Sequence, residues 1–91
     1  MYYALLMDFI NVEKRDEIHK FMLELKQRFR LSDRSIVMYE LNGGLSVMLI
    51  VPVAVWSGLM TAYEIERLKR QLRTLGLKNA TYSVGNYVEV I

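Results

Sequence analysis

Ser35-Ile-Val-Met-Tyr-Glu-Leu41, Asn42-Gly43 and Gly44-Leu-Ser-Val-Met-Leu-Ile-Val-Pro52 form the stretch that decides the fold. Two runs rich in β-branched and large apolar residues flank the dipeptide best suited to the paired positive φ angles of a type I′ turn. A two-residue loop fixes the register, so Leu41 is expected opposite Gly44, Tyr39 opposite Ser46, Val37 opposite Met48 and Ser35 opposite Ile50. Side chains alternate across a sheet, so Ile36, Met38, Val47 and Leu49 share one face and Val37, Tyr39, Met48 and Ile50 share the other.

Working outward, Tyr2 to Ile10 is an apolar run suited to a central strand. Asn11 follows as a helix N-cap, with Glu13, Asp16 and Glu17 where the helix dipole favours acids. Behind it Ile18, Phe21, Met22, Leu25 and Phe29 recur at helical spacing. Thr61-Ala-Tyr-Glu64 has the spacing of a capping box, Ile65, Leu68, Leu72 and Leu75 form a second stripe, and Gly76 ends it. Ala80 to Ile91 alternates Tyr82, Val84, Val88 and Val90 with polar neighbours, as one half-exposed strand would. With right-handed crossovers this order predicts one α+β domain over residues 1–91, of ferredoxin-like βαββαβ form. Its four-stranded antiparallel sheet would run 4-1-3-2, with two helices on one face.

Composition narrows the chemistry. The 91 residues include no cysteine, which excludes disulfides, thiolate zinc sites and cysteine nucleophiles. The apolar share of 53% and charged share of 24% suit a packed domain. The N-terminal apolar run carries Asp8, and Leu45 to Met60 is broken by Pro52, Ser57 and Gly58, so neither reads as a membrane span. A cytoplasmic protein without a membrane partner is expected. His19 is the one histidine and lies among charged neighbours. No HExxH pair or Gly-rich phosphate loop accompanies it, and no metal or cofactor is expected.

Three surfaces are candidates for function. Helices cover one side of such a sheet, leaving Val37, Tyr39, Met48 and Ile50 on the open side, joined by Tyr2, Leu6 and Tyr87; a patch of this size marks self-association, most simply a homodimer. A net charge of +2 does not itself argue for nucleic acid. The bases cluster late: Lys26, Arg28, Arg30 and Arg34 at or just past the end of the first helix, Arg67, Lys69, Arg70, Arg73 and Lys78 along and beyond the later part of the second. Helices running the same way would gather these at one edge, where they either bind phosphates or only complement the helix dipoles. Trp56, Leu59 and Met60, in the apolar segment before the second helix, either anchor a protein partner or fold back onto the core.

The topology resembles the RNA-recognition motif, but Gly44 to Val51 holds neither an aromatic nor a basic residue. Ligand-sensing domains of ACT and Lrp type are similar in architecture alone. The opening Met-Tyr-Tyr-Ala-Leu-Leu-Met-Asp8 is superficially similar, over about ten residues, to ferredoxin-like nucleases of the Cas2 and VapD kind. That resemblance implies a symmetric pair of Asp8 carboxylates holding Mg²⁺ at a dimer interface. It ends there, because the segment before the second strand lacks their Gln-x-Ser pattern and a tight hairpin replaces their longer connection. The expected function is a small non-enzymatic, homo-oligomeric binding or assembly module whose partner is protein or nucleic acid, including an accessory nucleic-acid-binding or regulatory role, with a metal-dependent nuclease using Asp8 and a Trp56-anchored adaptor as alternatives.

Overall fold

Asn42 and Gly43 have φ of 52° and 79°, as the type I′ turn requires. In the computed structural model, which describes residues 1–91, this turn sets Leu41 opposite Gly44, Tyr39 opposite Ser46 and Val37 opposite Met48. Pairing starts at Ile36, because Asp33–Ser35 forms a 3₁₀ turn that takes Ser35 out of the ladder.

The elements are β1 (Tyr2–Phe9), α1 (Arg15–Phe29), β2 (Ile36–Leu41), β3 (Gly44–Pro52), α2 (Val53–Leu59), α3 (Ala62–Thr74), β4 (Leu77–Val84) and β5 (Tyr87–Val90). They form an α+β domain, roughly ferredoxin-like, whose antiparallel sheet runs β2-β3-β1-β4-β5. Five strands in this order replace the expected four. The reason is local: Gly85, at φ 56°, and Asn86 fold the last run back on itself, so Ala80 to Ile91 is part of a hairpin and not one strand. Opposite Phe9 a bulge also shifts the β1–β4 register, setting Leu77 against Phe9 and Asn79 against Asp8.

Three helices form where two were expected. Pro52 ends β3, and Val53–Leu59 turns helical instead of crossing as a loop. Trp56 thereby swings under the sheet, 7% exposed, against Tyr3, Phe29 and Tyr82 at ring distances of 6.1, 5.9 and 6.3 Å. The core is one cluster on a single side of the sheet. Leu5, Met7 and Phe9 from β1 and Leu45, Val47, Leu49 and Val51 from β3 meet Ile18, Met22, Leu25 and Phe29 from α1, and Leu68 and Leu72 from α3.

Helix ends follow their sequence signals. Asn11 caps the 3₁₀ turn leading into α1 by accepting the Glu13 N–H at 3.1 Å. Thr61 Oγ1 accepts the Glu64 N–H at 3.2 Å, while the Glu64 carboxylate is drawn away to Arg28 at 2.7 Å. That contact joins the end of α1 to the start of α3, and Lys14 Nζ, before α1, donates to the Thr74 carbonyl at the end of α3. The two helices are therefore antiparallel, because β1 and β3, which they follow, are antiparallel.

Trp56→Ala should cost about 3–5 kcal/mol in urea titration, by removing the largest side chain of the aromatic cluster. Thr61→Ala should cost about 1 kcal/mol through the lost cap.

Candidate functional site

β-pairing places the open face row by row. Val90, Thr81, Leu6, Met48 and Val37 lie side by side across all five strands, and Val88, Ser83, Ala4 and Ile50 form the neighbouring row. A third row, Asn79, Asp8, Ser46 and Tyr39, borders them. No helix covers this side: Leu6 is 42% exposed, Val37 45% and Val90 74%. The central strands bury every second residue under the helices and present the alternate ones here, so the face is built by the same periodicity that builds the core.

Of the residues assigned to this face, Tyr2, Leu6, Val37, Tyr39, Met48 and Ile50 lie on it, and Tyr87 does not. Tyr87 pairs with Val84, which shares the helix-side parity of Tyr82, so the β4–β5 turn reverses its orientation. Val88 and Val90 occupy the open face instead. Gly85-Asn86 carried the signal for this, being a dipeptide of hairpin type between two apolar runs.

On the helix side, Tyr82 and Tyr87 both donate to Glu89 Oε2, at 2.6 and 2.5 Å, tying β5 to β4. The hydrogen bond to Glu89, aided by desolvation, pushes the Tyr82 hydroxyl up to about 12, and the same bond raises Tyr87. Reciprocally, the hydrogen bonds from Tyr82 and Tyr87 lower the Glu89 carboxyl.

Asp8 is half-buried at the polar margin and accepts from Ser46 Oγ at 2.7 Å. With Ser46, Lys78 and the Asn42 turn it borders a shallow cavity of about 270 Å³. No three His, Asp or Glu side chains come together anywhere in the chain.

The cations do not share an edge. Antiparallel helices put Arg28 beside the start of α3, where it pairs with Glu64; Arg30 caps the end of α1, Arg34 lies in the 3₁₀ turn before β2, and Arg73 and Lys78 lie at or beyond the far end of α3. Lys26 hydrogen-bonds Asp33 and holds its carboxyl below the ordinary value, Lys69 pairs with Glu66 at 3.3 Å, and Arg67 lies 4.0 Å from Glu64. The proposed anchors separate as well. Trp56 and Met60 are buried, and only Leu59 is exposed, so the apolar segment serves the core.

No known family, curated protein or solved structure matches this chain. No helix in it is long and apolar enough to cross a membrane.

The tyrosine pair sets an alkaline limit. A tyrosine whose folded pKa is raised lends stability that is complete below its unfolded value near 10 and lost as pH climbs through about 12. Ultraviolet titration should show Tyr82 ionising near pH 12. Glu89→Gln should bring that midpoint back toward 10.

Proposed function

We propose that this chain is a small homo-oligomeric assembly module in which two copies pack open face to open face. The observation that carries this reading is the uncovered apolar block of Leu6, Val37, Met48 and Ile50, with Val88 and Val90 on the same face beyond Thr81 and Ser83 of β4. Isolated surface hydrophobes need no explanation, but a connected block this wide favours association.

Size supports it. Strand spacing and rise give a five-stranded face of the order of 500 Å² in projection, so two copies would bury about 1,000 Å² between them, the lower bound of a specific interface. Relief supports it too. Ala4, Thr81 and Ser83 leave a low band between the β5 valines and the taller Leu6, Met48 and Ile50, so two copies related by a two-fold can seat ridge in trough. Asp8, Ser46 and Asn79 supply a polar rim beside this apolar centre.

Light scattering should give a solution mass of at least twice the 10.7 kDa chain. Leu6→Glu, which buries a charge at the centre of the interface and touches nothing in the core, should halve that mass with the far-ultraviolet circular dichroism unchanged. An unaltered mass would rule the open face out as the contact.

A further inference from the structure

We propose that this chain binds a free aliphatic amino acid in the cavity beside Gly44, its ammonium group toward Asp8 and its carboxylate toward Lys78, a site that does not depend on pairing of the open faces. The cavity is made by the hairpin that sets the fold. Gly44 alternates with the buried Leu45 and so faces the open side of β3, where it has no side chain to fill the space between Leu41 and Ile10. The three atoms nearest to where its Cβ would stand are all carbonyl oxygens, those of Phe9, Leu41 and Ile10 at 3.0, 3.5 and 3.7 Å. This end of the hollow therefore has a negative lining.

Asp8 and Lys78 supply the charges. Asp8 Oδ1 accepts from Ser46 Oγ at 2.7 Å, which fixes the carboxylate and leaves Oδ2 without a hydrogen bond. Lys78 is the extra residue of the bulge that sets Leu77 against Phe9 and Asn79 against Asp8. In an unbroken ladder Lys78 would pair with Phe9 and share its helix side; the bulge re-aims it, and it borders this cavity instead. Although both line one hollow, Asp8 and Lys78 form no ion pair with each other or with any other residue.

The ligand follows from this pairing of opposite charges across a gap. A lone metal cation would meet the Lys78 ammonium, and a lone anion would meet the Asp8 carboxylate and the carbonyl oxygens, so a molecule carrying both charges suits the site best. An amino acid does so with its ammonium donating to Asp8 and the oxygens around Gly44, and its carboxylate accepting from Lys78 and the side-chain amide of Asn42, which lines the same cavity. Leu41 and Ile10, both exposed, give apolar walls for an aliphatic side chain. The volume of about 270 Å³ falls just below the roughly 300–1,000 Å³ of cavities that take drug-sized ligands, as a molecule this small requires.

Isothermal titration calorimetry with L-leucine, L-isoleucine and L-valine tests this. At least one of the three should bind with a Kd below about 1 mM. Asp8→Asn and Lys78→Met, both outside the core, should each weaken that binding at least about tenfold. Leucinamide keeps the ammonium group but not the carboxylate, so it should bind more weakly than L-leucine and lose little further on Lys78→Met. Leu6→Glu should leave amino-acid binding unchanged. An unaltered solution mass for that variant, with the amino acid still bound, removes the open-face reading alone. No binding of any of the three, binding that survives both cavity substitutions, binding lost in Leu6→Glu protein, or uptake of Mg²⁺ or Ca²⁺ through Asp8 that Lys78→Met strengthens, would overturn the amino-acid site.

Discussion

The register imposed at Asn42-Gly43 is the constraint on which the remaining structure depends. It decides which four side chains of β3 lie beneath the helices, and through the β1–β3 ladder it decides the same for β1. A slip by one residue would exchange Leu45, Val47, Leu49 and Val51 for Ser46, Met48, Ile50 and Pro52, placing a hydroxyl and a pyrrolidine ring in the core. Gly44 reinforces the turn. A Cβ there would stand 3.0 Å from the Phe9 carbonyl, so any side chain at this point would push the backbones of β1 and β3 slightly apart.

The second organising element is the aromatic group around Trp56. β1 contributes Tyr3, α1 contributes Phe29 and β4 contributes Tyr82, with Tyr3 and Tyr82 edge-to-face at 5.3 Å. α2 exists to deliver the indole to this junction: it is seven residues long, and Trp56 is its one buried residue. The same junction steadies the outer hairpin, since Tyr82 faces Trp56 with its ring and Glu89 with its hydroxyl. Core packing and the seating of β5 are thereby carried by a single side chain.

What could be read in the sequence and what could not divide along physical lines. The β2–β3 register, the Asn11 and Thr61 caps and the two main helical stripes are local or short-range properties, set by turn geometry and by periods of two and about 3.6 residues, and they are where the residues place them. The second hairpin was equally local, but the alternation of Tyr82, Val84, Val88 and Val90 is the same whether the strand continues or turns back at Gly85-Asn86. A continuous strand would put Tyr87 on the open face, whereas the turn puts it on the helix side. Relative helix direction is a property of the assembled sheet, so a gathering of bases at one edge could not be judged from their positions in sequence. Trp56 illustrates the same limit: an apolar segment between a strand and a helix needs a partner, and only the assembled core shows that the partner is intramolecular.

β1 lies at the centre of the sheet, yet it is the first element of the chain. Leu6 meets Met48 on one side and Thr81 on the other, so neither neighbour exists when β1 leaves the ribosome. β2 and β3 can zip as soon as both are made, but β1 must stay unpaired until β3 is complete, and its second neighbour arrives only with β4. An apolar strand held waiting in this way exposes its core face to other chains throughout the interval between its own synthesis and that of β4, which is the interval of greatest aggregation risk.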